Sequence, residues 1–196
     1  MQFKEAKKFI LAKLKKDLPK HLSYHSVEHI RDVYDAAKQI AKKEKVGGDD
    51  LTLLLTAALF HDSGFLIDQK EHEKLSCDVA RQYLPQFGYG PEQIEKICGM
   101  IMATQIPQKP RNLTEQILCD ADLDYLGRDD FFTIGDKLFA ELSMYGMINT
   151  EEEWNRLQTG FLEKHHYFTV TALKLRKDKK DENLAIVKSK ISNATA

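Results

Sequence analysis

The sequence has little of what marks secreted, membrane-bound or nucleic-acid-binding proteins. Its 196 residues include three cysteines, an odd number at wide spacing, so we expect no disulfide framework and a reducing cytoplasm. No stretch approaches the roughly 18 apolar residues of a membrane span, and the N-terminus lacks the apolar segment of a secretory signal. The formal net charge of −1 is not the basic excess of proteins that bind extended nucleic acid. These absences predict a cytoplasmic protein with neither a membrane nor an extended nucleic acid as partner, and they leave its oligomeric state open.

Alternating β patterns, internal repeats and Pro/Gly/Ser-rich linkers are also missing. The chain is 42% hydrophobic and 30% charged, which is enough apolar material for one sizeable core. Nearly every periodic segment has helical spacing. We therefore predict an all-α bundle forming a single domain over residues 1–196, with a motif-bearing core at about 20–127 and C-terminal helices at about 128–192.

Turn and capping residues divide this pattern into helices. A first helix ends before Leu18 and Pro19, and a second, over 25–46, ends at Gly47 and Gly48. Asp49 or Asp50 is expected to cap the third helix, which is apolar nearly all round up to Phe60 and should be central. Later helices are predicted over 71–84, 92–103, 113–126, 131–145, from a capping box at 150–153 to about 177, and over 181–191. His165 and His166 would then lie inside a helix, one facing the core and one facing solvent.

A histidine followed by an aspartate closes the buried third helix. His61 and Asp62 bring a nitrogen and an oxygen ligand to one point on rigid backbone, which is typical of a divalent metal site. The alternative is a histidine favoured by the macrodipole at a helix C-terminus, followed by a turn aspartate. The choice depends on whether other segments supply further ligands.

Two segments could complete such a site. His25 and His29 are four residues apart at a predicted helix start, so both imidazoles are expected on one face. Either histidine alone could be a capping or solvated residue. Asp120, Asp122 and Asp124 could be a solvent-facing acidic run, but the apolar residues among them indicate a buried helix, where a carboxylate needs a partner or a cation.

In this order, Tyr-His-x-x-x-His, then His-Asp after an apolar helix, then Ala-Asp, the sequence resembles the HD superfamily of metal-dependent phosphohydrolases. The resemblance covers roughly residues 20 to 127 and implies an all-helical fold. It places the metal ligands on His29, His61, Asp62 and Asp122, with Asp120 as the rival for the last position. It also gives His25 the role of proton donor to the leaving oxygen.

The residues themselves agree with that assignment. Two imidazoles and two carboxylates suit Mn²⁺, Fe²⁺, Co²⁺, Ni²⁺ or Zn²⁺, and Mg²⁺ is a further candidate. Arg128, just past the last aspartate, could clamp a phosphate, or it could pair with Asp129 or Asp130. Lys70 and Arg31 are weaker candidates of the same kind.

The sequence departs from familiar members at two places. Phe65 stands where several nucleotidases have a glutamate that helps to activate water, so Asp68 or Glu71 would have to substitute. Dinuclear members carry extra histidines before the last aspartate, whereas this interval holds only His72, which we read as a surface helix residue. One divalent ion per chain is therefore expected.

The resemblance implies an enzyme that cleaves a phosphoester or phosphoanhydride of a small phosphorylated metabolite, most plausibly a nucleotide, through metal-activated water and with Asp62 and His25 in the catalytic centre. It leaves open whether the bond is a monoester, a diester or an anhydride. The absence of the helper at Phe65 keeps a non-catalytic metal- or nucleotide-binding sensory module as the alternative. Iron-dependent oxygenation would require two irons and more histidines than we can place.

Overall fold

A computed structural model describes residues 1–194, which form nine α-helices and three short 3-10 helices with no strand. The all-α prediction is confirmed. Among these residues no helix combines the length and the apolarity needed to cross a bilayer. The helices are α1 (Phe3–Asp17), α2 (Val27–Lys43), α3 (Gly48–Phe60), α4 (His72–Tyr83), α5 (Pro91–Ala103), α6 (Leu113–Asp122), α7 (Phe131–Met144), α8 (Glu151–Lys164) and α9 (Val170–Ala194). The 3-10 helices are Ser63–Leu66, Leu84–Phe87 and Asp124–Gly127.

The chain divides into two compact units, Met1–Leu123 and a second one that starts at Asp124. The first contains α1 to α6 and the second contains α7 to α9. A single domain over 1–196, whose last two residues lie outside those described, stays a prediction.

The first unit is built around α3, as the sequence predicts. Eight consecutive residues of this helix, from Leu53 to Phe60, are buried, and α1, α2, α4, α5 and α6 all pack against it. Burying one large aliphatic or aromatic side chain contributes about 1.5–3 kcal/mol. A helix that is apolar on every face is therefore stable only at the centre of such a unit.

Two helix starts differ from the prediction. The second helix begins at Val27, because the Ser26 side chain caps it and accepts a hydrogen bond from the backbone N–H of His29 at 3.4 Å. His25 thus precedes the helix and does not share its face with His29. The third helix is capped by Gly47, and the predicted capping residues Asp49 and Asp50 lie in its first turn, where carboxylates interact favourably with the macrodipole.

In the second unit, the predicted long helix from 150 to about 177 is wrong. The capping box forms as expected, with Thr150 and Glu153 satisfying each other's backbone N–H groups. The helix ends at Lys164, because His165 adopts an extended conformation. The side chain of Thr169 then accepts from the backbone N–H of Ala172 at 3.1 Å and starts α9. His165 and His166 lie in this break, the first half-buried and the second exposed.

Candidate metal centre

Three helix ends in the first unit bring the predicted ligands together. His29 is the third residue of α2, His61 follows the last residue of α3, and Asp122 is the last residue of α6. These three helices pack against one another. Their ends therefore hold the side chains on rigid backbone, and Asp62 arrives with its neighbour His61.

The side chains converge through four atoms. The Nε2 atoms of His29 and His61 lie 3.3 Å apart. Oδ2 of Asp62 is 3.3 Å from Nε2 of His29 and 3.2 Å from Nε2 of His61. Oδ1 of Asp122 is 3.2 Å and 3.3 Å from the same two nitrogens. One nitrogen each from His29 and His61 and one oxygen from Asp122 all lie within 4.8 Å of one another.

This set of atoms fits a divalent cation. Ligand atoms at about 2.0–2.2 Å from a common ion lie roughly 3.0–3.5 Å from their neighbours, which is the spacing found here. Oδ2 of Asp62 is buried and has no hydrogen-bond partner among the described residues. No lysine or arginine in the described part of the chain forms an ion pair with Asp62 or Asp122. Two carboxylates and two neutral imidazoles leave a charge that one divalent ion would balance.

The orientation of His61 favours metal binding. Its Nδ1 lies 2.9 Å from the backbone carbonyl of Ala58 and donates a proton to it. Nε2 then directs its lone pair toward the two carboxylates. A backbone partner that fixes the tautomer and the ring in this way is usual for histidines that bind a metal.

The four groups perturb one another strongly. Burial opposes the charged imidazolium, but hydrogen bonds to Asp122 and Asp62 raise the pKa of His29 to about 9. The same carboxylates raise the pKa of His61 above its ordinary value despite burial. Although burial favours their neutral forms, the imidazoles hold the pKa of Asp62 and of Asp122 below the usual range. Without a cation the cluster therefore retains protons, which a metal ion would have to displace.

His72 lies beside this centre, which the sequence analysis did not anticipate. It is the first residue of α4 and half-buried, with Nε2 at 3.6 Å from Oδ1 of Asp62 and 3.5 Å from Oε1 of the buried Glu73. Asp62 therefore directs one oxygen to the two ligating histidines and the other toward His72. The signal in the sequence was a histidine ten residues after the doublet, followed by a glutamate at the start of a helix.

Phe65 occupies the space between two of the imidazoles. Its ring stacks on His25 with centroids 4.1 Å apart and lies 4.5 Å from the ring of His72. The His25 ring is 6.1 Å from that of His29, close to the centre without belonging to the ligand group. The predicted substitutes for the missing helper, Asp68 and Glu71, are exposed.

The segment from the doublet to α4 is held by a contact between main chains. A Cβ on Gly64 would lie 2.0 Å from the carbonyl oxygen of His72, so only glycine fits. The backbone N–H of Gly64 donates to Oγ of Ser76 at 2.7 Å. This contact fixes α4 against the turn that follows Asp62.

The other predicted residues have different surroundings. Asp120 is fully buried but is not part of the ligand group. In the second unit, Arg128 donates to Asp130 through Nε and Nη2 at 2.9 and 2.7 Å, and its Nη1 lies 3.6 Å from Asp124. Asp124 also accepts two hydrogen bonds from Arg176. The three cysteines are free and buried.

The chain is similar in fold to three solved proteins. A predicted HD superfamily hydrolase from an uncultured Thermotogales bacterium matches with a TM-score of 0.64 at 19% identity, covering 95% of this chain and 91% of that one. A Lactobacillus plantarum protein matches with a TM-score of 0.69 at 17% identity, covering 99% and 97%. Bacillus subtilis YpgQ, solved in complex with ADP, matches with a TM-score of 0.68 at 21% identity, covering 98% and 97%.

No curated protein matches the sequence significantly. The family model of the HD domain matches residues 26–124, half of the chain. This range includes His29, His61, Asp62 and Asp122. The chain therefore belongs to the HD domain family.

Proposed function

We propose that this chain is a divalent-metal-dependent phosphohydrolase that acts on a small phosphorylated metabolite, with a nucleotide as the favoured substrate. The observation that carries the proposal is the buried, unpartnered Oδ2 of Asp62, 3.2 and 3.3 Å from two histidine nitrogens that Asp122 also approaches. With no lysine or arginine paired to them, these carboxylates are balanced by protons on the imidazoles or by a divalent ion that replaces those protons, which supports a metal site. Metal-dependent hydrolysis is the activity associated with the HD domain.

Each residue of the centre has a role in this proposal. His29, His61, Asp62 and Asp122 hold one divalent ion, which when bound would polarise a phosphoryl oxygen and lower the pKa of a water molecule. Asp62 also reaches toward His72 through its second oxygen and so keeps its orientation. His25, stacked on Phe65 and outside the ligand group, donates a proton to the oxygen that leaves phosphorus.

A cavity next to His25 supports an anionic substrate. It has a volume of about 290 Å³ and is lined on one side by Lys15, Lys20 and Arg31. None of these three cations forms an ion pair within the described residues, and Glu28 is the only acid in the lining. Free cations in a cavity that also contains the proposed proton donor favour binding of a phosphate group there.

Two further arguments bear on the substrate. The relative from Bacillus subtilis was solved with ADP, which favours a nucleotide for this chain too. Arg128 remains a predicted phosphate clamp, but its guanidinium already holds Asp130. We therefore assign phosphate binding to Arg31, Lys15 and Lys20 rather than to Arg128.

The test is a hydrolysis screen of the purified chain with Mn²⁺ against nucleoside mono-, di- and triphosphates and cyclic nucleotides. We expect release of phosphate, pyrophosphate or nucleoside monophosphate, loss of the reaction on chelation, and no reaction by His61→Ala. Failure of every nucleotide with a loaded metal site would reject the nucleotide proposal.

The alternative function is a sensory module that binds a metal or a nucleotide without turnover. It is favoured by the buried Phe65, which places an apolar ring where a water-activating carboxylate is expected. Nucleotide binding by calorimetry, with an intact metal site and no product over many hours, would identify this alternative.

A further inference from the structure

Two cysteines on neighbouring helices face each other in the first unit. Cys77 on α4 and Cys98 on α5 are only 2% and 3% exposed. The thiol of Cys77 donates to the backbone carbonyl of Cys98 with a sulfur–oxygen distance of 3.5 Å, and the thiol of Cys98 donates to the carbonyl of Cys77 at 3.8 Å. Each sulfur therefore reaches the main chain of the other residue, and the two thiols are neighbours where α4 packs against α5.

The surroundings make the two thiols unequal. A hydrogen bond from Cys77 and the positive charge of Arg81 lower the pKa of Cys98, although burial opposes this change. The pKa of Cys77 is raised, first by its hydrogen bond to Cys98 and then by burial. These opposite shifts favour the thiolate at Cys98 and the proton at Cys77.

The two cysteines differ in their relation to a surface cavity. Cys98 lines a surface cavity of about 560 Å³ whose walls also carry the cations Arg81, Lys109 and Arg111. Cys77 is not part of this lining. Glu95 and Glu115 accompany these cations in the lining, and Arg81 is paired with Glu95. A small reagent that enters this cavity therefore meets Cys98.

We propose that Cys98 and Cys77 form a thiol pair that a hydroperoxide oxidises to a disulfide. The Cys98 thiolate attacks one peroxide oxygen, the O–O bond breaks, and hydroxide leaves as Cys98 becomes a sulfenic acid. The Cys77 thiol then attacks that sulfur, an S–S bond replaces the S–O bond, and the proton of Cys77 leaves with the hydroxyl group as water. Two thiols and one hydrogen peroxide thus give one disulfide and two waters.

The third cysteine provides an internal control. Cys119 is fully buried, and its thiol donates to the carbonyl of Ala103 at 3.1 Å. Burial raises its pKa, as do the charges of Asp122 and Asp120. Since it faces no second thiol and forms a thiolate less readily, it should remain reduced when the pair reacts.

The experiment treats the full chain with hydrogen peroxide, alkylates the remaining thiols under denaturing conditions and analyses the peptides by mass spectrometry. We expect a mass loss of about 2 Da, a disulfide-linked peptide pair containing Cys77 and Cys98, and full alkylation of Cys119. The proposal is overturned if Cys77 and Cys98 stay as alkylatable as Cys119, or if a disulfide forms with Cys119 instead.

Three variants separate the steps. In Cys77→Ser, a hydroxyl replaces the resolving thiol, so Cys98 should stop at a sulfenic acid that dimedone traps. In Cys98→Ser, Cys77 should stay reduced, and Cys119→Ser should give the same disulfide yield as the unmodified chain. Oxidation of Cys77 in the Cys98→Ser variant at an unchanged rate would also overturn the proposal. The experiment on the unmodified chain needs no variant to fold, and its result does not depend on the metal centre.

Discussion

Two aspartates, Asp122 and Asp124, stand two residues apart in the sequence and have opposite surroundings. Asp124 accepts hydrogen bonds from Nε and Nη2 of Arg176 at 2.7 and 3.0 Å, and Arg128 lies 3.6 Å from it. Asp122 faces the imidazoles of His29 and His61 and no arginine or lysine among the described residues. Asp124 has a permanent positive charge beside it. Asp122 has beside it only imidazoles, which can lose their positive charge.

The difference separates a structural carboxylate from a proposed metal ligand. A guanidinium stays charged at any physiological pH, so the charge of Asp124 is balanced permanently. Imidazoles balance a carboxylate only while they hold protons, and a divalent ion can replace those protons. Oδ2 of Asp62, which has no hydrogen-bond partner among the described residues, also lies beside imidazoles and not beside a guanidinium. We therefore propose that the cation binds there.

Asp122→Asn should have the largest effect. The substitution replaces a negatively charged side chain with a neutral amide of nearly the same volume. We therefore expect Mn²⁺ affinity to fall by more than about 100-fold, which is more than the loss of a residue that only orients a ligand would cause. Hydrolytic activity should disappear with the metal. Metal content by mass spectrometry and calorimetry measure the change, with Asp124→Asn as the matched control. Equal metal affinity in the two variants would end the distinction between these aspartates.

His25→Ala should have the next largest effect. Because His25 lies outside the ligand group, the variant should keep the metal and lose about 10²–10⁴-fold in kcat, the range for a general acid. His166→Ala, which changes an exposed histidine in the second unit, is the control. Loss of metal from the His25 variant would place this residue among the ligands.

Asp124→Asn should affect stability without affecting metal binding. Losing hydrogen bonds between charged groups costs about 1.5–3 kcal/mol of unfolding free energy. Urea denaturation monitors this change, and Asp136→Asn, at an exposed position of α7, is the control. An unchanged unfolding free energy would show that Arg176 does not depend on this partner.

The pH dependence of metal binding tests the same cluster without a substitution. The pKa of His29 is raised from 6.5 to about 9, so its contribution to the stability of the metal-free protein is complete below pH 6.5 and is lost as pH rises to about 9. A metal ion must displace this proton, so Mn²⁺ affinity should rise about tenfold per pH unit for each proton released in that interval. Calorimetry in buffers of different ionisation enthalpy counts those protons. Affinity that does not change between these pH values would contradict the protonated cluster.

The sequence was sufficient to predict that His29, His61, Asp62 and Asp122 converge, and their role as metal ligands stays a prediction. The apolar run before His61 fixes α3 as the central helix, and the doublet follows from its C-terminus. The alternation of Asp122 with apolar residues places it on a packed helix. Local patterns of this kind determine the element but not its last residue, since the helix predicted over 113–126 ends at Asp122.

What the sequence could not predict depends on contacts between distant segments. The approach of His72 to Asp62 depends on how α4 packs against the 3-10 turn Ser63–Leu66, and no periodicity encodes it. The end of α8 at Lys164 depends on a single extended residue, His165, in a stretch whose apolar spacing continues the helical pattern. Helix propensity favours a continuous helix there, but the extended conformation of His165 interrupts it.

Gly64, between the His61-Asp62 doublet and α4, limits which substitutions this part of the fold can accept. Gly64 leaves no space for a side chain next to the carbonyl oxygen of His72. The main chains at these two positions are therefore in direct contact, and this contact limits the distance between Asp62 and α4. Any heavier residue at position 64 would act as a wedge, moving the His72 imidazole away from Asp62 while the three helix ends that hold the other ligands stay in place.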